Sequence, residues 1–177
     1  MEEKAISGRW KPELLLLLSE GSRRWGELLE ALPEAGAGSL GRALKELAEA
    51  GLILRLNSGT RYQKVRYRLT EQGAEAAALH RSLRQWSWDW ALPEAAARKL
   101  LTCPAQRQLL ETIEDPIRPG ALERRCPQLG RSTMERQLGA MTKQGLLRRI
   151  SYPTVPPTVE YQRTPAGEAL MGLLSAI

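Results

Sequence analysis

The sequence predicts a mainly α-helical chain with small β-hairpins, built from two tandem copies of one module. The first reason is an internal repeat: residue types recur at a constant offset of 94 positions, most clearly in Tyr67 and Tyr161, Thr70 and Thr164, and Gly73 and Gly167. The second reason is the pattern inside each copy, where apolar residues at helical spacing are followed by two short extended runs. Repetition of a whole pattern at one offset indicates a duplicated folding unit.

The offset holds without a gap across the module, and it matches positions that two copies of one fold need to share. These are glycine, proline and core leucine positions: Leu15 and Leu109, Pro33 and Pro127, Gly51 and Gly145, Leu52 and Leu146. We therefore predict a first domain over residues 1–76, linking helices over 77–105 and a second domain over 106–177.

The first two helices of the first copy are marked by leucine content and by helix-ending residues. Five consecutive leucines, Leu14–Leu18, cannot lie on one face of a helix, so this helix should be buried nearly all round. Gly21 and Ser22 end it. A second helix is predicted over 25–32, and Pro33 closes it because proline cannot continue a helix.

A third helix and a hairpin complete the first copy. After a turn at Gly36–Gly38, leucines at i, i+4 and i+7 form the apolar stripe of an amphipathic helix: Leu40, Leu44 and Leu47. Gly51 ends that helix. Residues 52–56 then alternate as one strand, Asn57-Ser58-Gly59 turns the chain, and 62–69 return as the second strand. Three helices followed by a hairpin is the order of a winged helix-turn-helix.

The segment between the copies is predicted to form two helices with a proline between them. The first runs from Thr70 to a tryptophan cluster at Trp86, Trp88 and Trp90, and the second starts after Pro93. Because tryptophans at i, i+2 and i+4 cannot share one helix face, packing between the modules is favoured over stacking on nucleic-acid bases.

The second copy repeats the order of the first. Helices are predicted over 107–114, 120–126 and 131–144, a hairpin over 146–161 and a last helix over 165–174. Thr164 suits the cap of that last helix, and Pro165 suits its first helical position.

Several stretches carry a resemblance to a known family. Ile6-Ser-Gly-Arg-Trp-Lys11 before the leucine-rich helix resembles the start of HxlR-type winged-helix regulators, and residues 152–161 with Thr164 and Gly167 resemble their wing. The spacing from Leu40 to Leu52 is similar to that of their recognition helix. The resemblance covers nearly the whole chain, once per module, and it implies a bacterial transcription regulator that binds DNA in the cytoplasm.

The fusion of two modules departs from that family, whose members usually carry one module and pair as homodimers through their terminal helices. Here few residues precede Ala5 or follow Gly167, while residues 74–103 resemble one module's last helix joined to the next module's first helix. We therefore expect an intrachain pseudo-dimer, and a monomer or at most a weak homodimer in solution.

Charge favours an anionic partner, and the resemblance implies that this partner is double-stranded DNA. The net charge is +6 and the pI is near 9.7. In a winged helix the third helix enters the major groove. In the second copy that helix carries five candidate DNA contacts: Arg131, Ser132, Thr133, Arg136 and Gln137. Arginine can pair with guanine and glutamine with adenine at base edges. The alternative interpretation is a solvated polar helix face.

The first copy is poorer on its third helix, where small residues surround a single arginine, Arg42. Its wing is basic instead, and it offers five candidate phosphate contacts: Arg55, Arg61, Lys64, Arg66 and Arg68. We therefore predict that the second module reads bases and that the first mainly holds the DNA backbone. The small residues of the first copy also leave a second hypothesis open, a tandem winged-helix scaffold that binds protein without sequence-specific DNA binding.

Other classes of protein are disfavoured. The leucine run is shorter than the roughly 20 apolar residues of a membrane span, and no signal peptide precedes it, so we expect a cytoplasmic, nucleoid-associated protein with no membrane partner.

Cys103 and Cys126 are interpreted as inert core thiols, with a redox switch as the alternative. One histidine and two cysteines make no zinc pattern. With no nucleophile–base pair and no phosphate-binding glycine loop, we expect no metal, cofactor or enzymatic activity.

Overall fold

The computed structural model describes residues 6–57 and 65–175. The chain divides into two compact units, Met1–Ser82 and Leu83–Ile177, and the division falls inside one helix, Glu71–Trp90. Each predicted module lies in its own unit, and the segment predicted to link the modules, 77–105, is shared between the two.

The first unit contains a winged helix-turn-helix. Its described elements, in chain order, are α1 (Lys11–Ser19), β1 (Arg23–Arg24), α2 (Trp25–Ala31), a 3-10 turn (Pro33–Ala35), α3 (Gly36–Glu49), β2 (Ile53–Leu56), β3 (Arg66–Leu69) and α4 (Glu71–Trp90), which continues into the second unit. The strands form one antiparallel sheet in the order β1-β3-β2. Residues 58–64, which include most of the predicted turn and the start of the predicted second strand, lie outside the described residues.

The leucines of α1 and α3 form the core of this unit. The fully buried members are Leu14, Leu15, Leu18, Leu40, Leu44 and Leu47. Leu16 and Leu17 are half-buried, so α1 has apolar contacts on most of its circumference, as the five-leucine run predicts.

Two local features differ from the sequence prediction. Helix α3 begins at Gly36 itself, so the predicted turn at Gly36–Gly38 is wrong. The positive φ of Gly36, +63°, turns the chain sharply out of the 3-10 turn before the helix starts. Strand β1 was not predicted, because the pairing of Arg23 with Tyr67 involves a run too short to show alternation.

The second unit repeats this arrangement. Its described elements after α4 are α5 (Glu94–Thr102), α6 (Pro104–Thr112), α7 (Pro119–Arg125), α8 (Arg131–Lys143), β4 (Leu147–Tyr152), β5 (Thr158–Arg163) and α9 (Pro165–Ser175). Strands β4 and β5 pair antiparallel from Leu147–Arg163 to Tyr152–Thr158. A bridge from Ile117 to Tyr161 lies 94 positions after the pairing of Arg23 with Tyr67, so the repeat extends to the third strand position.

The threonine and glycine positions that match between the two copies form the same backbone corner in both units. We call it the threonine corner. In the first unit Thr70 Oγ1 donates to the Gly51 carbonyl at 2.7 Å and accepts from the Gly73 N–H at 3.0 Å. The threonine thus caps α4 and ties it to the turn after α3.

The second unit builds the same corner at the equivalent positions. Thr164 Oγ1 donates to the Gly145 carbonyl at 2.6 Å and accepts from the Gly167 N–H at 3.1 Å. The predicted capping role of Thr164 is therefore confirmed. The glycine is needed because a Cβ at Gly73 would overlap the Leu52 carbonyl oxygen, and a Cβ at Gly167 would overlap that of Leu146.

The three clustered tryptophans have different surroundings. Trp86 is 2% exposed, and its Nε1–H donates to the Ala166 carbonyl at 2.9 Å inside the second unit. Trp88 is 80% exposed and Trp90 is 39% exposed. Trp86 is therefore a core residue, whereas the Trp88 ring lies at the surface and is not packed in the core.

Candidate nucleic-acid interface

Helix α8 presents a continuous polar face because its apolar residues all point to the other side. Met134, Leu138 and Met141 are buried in the core of the second unit. Their spacing of four and three residues leaves one side exposed, and in the first half of the helix that side carries Arg131, Ser132, Glu135 and Arg136, with Thr133 half-buried beside them. Four of the five predicted contact residues of this helix therefore lie on its exposed face or at its edge.

Arg131 is held by two carboxylates while remaining accessible. Its Nε lies 3.0 Å from Oε1 of Glu135 and 3.5 Å from Oε1 of Glu123, and its side chain is 76% exposed. The hydrogen bond to Glu135, followed by the charge of Glu123, raises the pKa of Arg131. Exposed ion pairs contribute little net free energy, so the guanidinium can exchange these partners for a guanine or a phosphate at small cost.

Gln137, the fifth predicted contact, lies at the border between the exposed and buried sides of the helix and is hydrogen-bonded to a core residue. Its Oε1 accepts a hydrogen bond at 2.9 Å from Nε2 of Gln106, which lies on α6 and is only 2% exposed. Gln137 itself is half-buried. Sequence reasoning missed Gln106, because its partner lies 31 positions away and neither residue carries a motif.

The equivalent helix of the first unit, α3, has a different surface. Ala37, Gly38 and Ser39 are exposed where α8 carries Arg131, Ser132 and Thr133. Arg42 is exposed at the position equivalent to Arg136, whereas Ala43, equivalent to Gln137, is buried. Of the long side chains on the first part of α8, α3 therefore retains only the arginine at 42.

The basic residues of the first wing divide into two groups. Arg55 on β2 and Arg68 on β3 are exposed. Arg66, by contrast, donates from Nη1 to the hydroxyl of Ser22 at 3.0 Å and to its carbonyl at 3.3 Å, which ties β3 to the loop before β1. The other two predicted contacts, Arg61 and Lys64, lie outside the described residues.

The second wing also carries arginines, which the sequence analysis did not select. Arg148 and Arg149 are exposed on β4, and Val155 is fully exposed at the tip. The sequence signal that could have identified them is the pair of adjacent arginines in the first strand of the predicted hairpin. Near the tip of the wing, Tyr152 donates to Glu160 at 3.0 Å, and this hydrogen bond, followed by burial, raises the pKa of Tyr152.

The two cysteines are not equivalent, although both are free thiols. Cys126 is fully buried and lies 3.4 Å from the Thr112 hydroxyl, in agreement with the interpretation as a core thiol. Cys103 is half-buried at the start of α6, so its interpretation as a core thiol is wrong.

The described residues contain neither a metal-binding cluster nor a membrane-spanning helix. Within 6–57 and 65–175, no group of three or more His, Cys, Asp or Glu side chains is arranged to hold a metal ion. In the same ranges no helix combines the length and apolar character needed to cross a membrane.

The family model of the HxlR-like helix-turn-helix proteins matches residues 5–95 and again 107–177. The chain belongs to the HxlR-like helix-turn-helix family. Two separate matches to one family model agree with the tandem duplication that the 94-residue repeat predicts.

Individual relatives align with half of this HxlR-like chain. The helix-turn-helix transcriptional regulator YvaP of Bacillus subtilis is 31% identical over 94 residues, which cover 51% of this chain and 87% of YvaP. YkvN of the same organism is 32% identical over 94 residues, which cover 53% of this chain and 80% of YkvN. The solved structure of the redox regulator HypR in its reduced form has a TM-score of 0.47 at 27% identity, covering 49% of this chain and 85% of HypR. The chain is thus a helix-turn-helix protein of a transcription-regulator family.

Proposed function

We propose that this HxlR-like protein is a DNA-binding transcription regulator in which α8 reads base edges and the first unit mainly holds the DNA backbone. The observation that carries the proposal is the contrast between the exposed faces of the two equivalent helices. Helix α8 offers Arg131 and Arg136 where α3 offers Ala37 and Arg42.

The chemistry of α8 suits the major groove. A guanidinium offers a fixed fork of donors that matches the O6 and N7 acceptors of guanine, and each good bidentate pair discriminates by about 1–3 kcal/mol. Ser132 and Thr133 add hydroxyl groups near the start of the helix, where backbone N–H groups also favour phosphate. At the positions that correspond to Arg131 and Ser132, helix α3 has only the methyl group of Ala37 and the hydrogen of Gly38, which cannot span to base edges.

The first unit supplies charge instead of readout. Arg42, Arg55 and Arg68 are exposed, and arginines that contact phosphates contribute affinity without sequence information. Binding of this kind does not depend on a symmetric operator, so we expect one strong half-site beside a degenerate one. DNA as the partner also places the protein in the cytoplasm with the nucleoid.

Selection of bound fragments from a random DNA pool tests the proposed function. We expect a recurrent sequence to emerge with the full chain. If none emerges, and if the proteins captured from lysate are unchanged by nuclease, the tandem scaffold that binds protein becomes the better description. That alternative is favoured only by the small residues on the exposed face of α3.

Affinity for DNA is expected to fall steeply with salt, because the net charge is +6 and arginines line both wings. Each phosphate-contacting arginine that is removed should flatten the slope of log affinity against log salt concentration by about one unit. The measurement is a titration of a labelled duplex at several salt concentrations with the parent and with Arg55→Ala. An affinity that does not change with salt in the parent would contradict a nucleic-acid role.

The protein is expected to behave as a monomer of 19.8 kDa at micromolar concentration. The reason is that one chain already contains two family modules, whereas YvaP and YkvN align with this chain over little more than one module's length. Sedimentation velocity over a range of concentrations measures the mass. A tight homodimer throughout that range would overturn the expectation.

A further inference from the structure

Gln106 is a buried polar residue whose side-chain amide is only partly hydrogen-bonded. It is 2% exposed, and its Oε1 is buried without a hydrogen-bond partner among the described residues. Leaving a buried amide oxygen unpaired costs stability, whereas an apolar side chain of similar size would avoid that cost. A glutamine at this position therefore needs an explanation other than core packing.

The contact that explains it is the hydrogen bond to the recognition helix. Nε2 of Gln106 donates to Oε1 of Gln137 at 2.9 Å. Turning both amides over would exchange donor and acceptor but keep the bond, and one end of the Gln106 amide would still be unpaired. In either orientation the carboxamide of Gln137 is fixed by a side chain that is itself immobilised in the core.

The repeat shows that the pair is not part of the shared fold. At an offset of 94 positions, Gln106 corresponds to Pro12 and Gln137 corresponds to Ala43, and both of these are buried. The first unit thus forms the same α1–α3 packing without either amide. The two glutamines occur together, in the one unit whose recognition helix also carries Arg131 beside Arg136.

We propose that Gln106 is a positioning residue for base recognition, which acts by holding the Gln137 carboxamide at the edge of the DNA-facing surface of α8. The inference rests on the proposed function. A glutamine that is free to rotate loses side-chain entropy when it binds a base, and pre-orientation reduces that cost. Because an amide oxygen has two lone pairs and an amide nitrogen two hydrogens, Gln137 can keep Gln106 and still contact adenine with both ends.

The test compares Gln106→Met with the parent on a duplex selected by the parent and on a scrambled duplex. Methionine has similar length and no hydrogen-bonding amide. We expect affinity for the selected duplex to fall about two- to twelvefold, the range that corresponds to one hydrogen bond of ordinary net strength. Affinity for the scrambled duplex should not change. Gln108→Met, the same substitution two residues along α6, should leave both affinities unchanged.

A double-mutant comparison shows whether Gln106 acts through Gln137. In a Gln137→Ala background, Gln106→Met should cause no further loss, because nothing remains to be positioned. Any of three results for Gln106→Met would overturn the inference. These are equal losses of affinity for both duplexes, no loss of affinity for the selected duplex, or an undiminished loss in the Gln137→Ala background.

A second variant avoids any change in the core. Gln137→Glu keeps an oxygen that can accept from Gln106, and it should move the base preference at one position of the selected site from adenine towards cytosine. An unchanged preference would overturn the inference even if Gln106→Met failed to fold. If Arg136→Ala abolishes sequence preference while these variants do not affect it, the roles of Gln106 and Gln137 are wrong and base reading by the arginine stands. If the parent shows no preference, the proposed function itself fails.

Discussion

Gly167→Ala is expected to lower the free energy of unfolding by about 3 kcal/mol, at the upper end of the range for over-packing. A Cβ on Gly167 would overlap the carbonyl oxygen of Leu146, which already accepts a hydrogen bond from the Thr164 backbone N–H at 3.0 Å. The oxygen cannot move away without weakening this bond. The loss should appear as a lower midpoint in urea denaturation.

Helix propensity alone predicts that Gly167→Ala raises the free energy of unfolding, so the direction of the measured change is informative. Replacing glycine by alanine inside a helix normally stabilises it by about 1 kcal/mol, so the steric cost at Gly167 must exceed that gain. Gly172→Ala in the same helix is the matched control, because a Cβ there meets no atom within 4 Å. We expect Gly172→Ala to be neutral or stabilising. Similar effects of the two substitutions would show that the threonine corner is not constrained by its glycine.

The first unit offers the same experiment independently. Gly73→Ala should be as damaging as Gly167→Ala, because its Cβ would overlap the Leu52 carbonyl oxygen in the equivalent corner. Gly26→Ala on α2 has open space around it and serves as the control there. If both substitutions destabilise the protein equally, the matching threonines and glycines of the two units serve the same structural requirement.

The sequence predicts the order of elements well because each element has a local signature. The stripe of Leu40, Leu44 and Leu47 marks a helix by its spacing, and Thr164 marks a helix start by its hydroxyl. The internal repeat adds a second signal, since residues that recur 94 positions apart identify contacts that both units need. The polar face of α8 was also predictable, because the exposed and buried residues of an amphipathic helix separate by spacing alone.

The features that the sequence does not predict depend on contacts between distant residues. Arg66 was selected as a phosphate contact by its charge, yet its guanidinium donates to Ser22, 44 positions away. Gln137 was selected for its amide, and the residue that orients it lies on another helix. Strand β1 is too short to show a period. In each case the side chain or backbone type is compatible with several partners, and only packing selects one.

Arg136→Ala is expected to weaken binding to a selected duplex by about 1–3 kcal/mol, or roughly 5- to 150-fold, while binding to scrambled DNA changes little. The reason is that Arg136 lies on the exposed stripe of α8, where the proposed function expects a guanidinium to contact guanine. Arg131→Ala should have a similar specific effect, but it also uncovers the carboxylates of Glu123 and Glu135. Because uncovered negative charge repels any DNA, Arg136 gives the cleaner measurement.

Arg42→Ala is the matched control, because Arg42 occupies the position of α3 that corresponds to Arg136 in α8. With methyl groups and hydrogens at the neighbouring positions of α3, Arg42 should contribute as a phosphate contact. Its removal should weaken the selected and scrambled duplexes nearly alike. Replacing Arg55 and Arg68 together with alanine should do the same and should flatten the salt slope by about two units if both contact phosphates.

The decisive comparison is the ratio of the two affinities, selected over scrambled, for each variant at one fixed salt concentration. Helix α8 reads the sequence if Arg136→Ala reduces that ratio and Arg42→Ala leaves it unchanged. The reverse result would assign base reading to the first unit, and equal reductions would describe two half-sites read symmetrically. Since a ratio cancels any general loss of charge or of folded protein, it separates recognition of bases from attraction to the phosphate backbone.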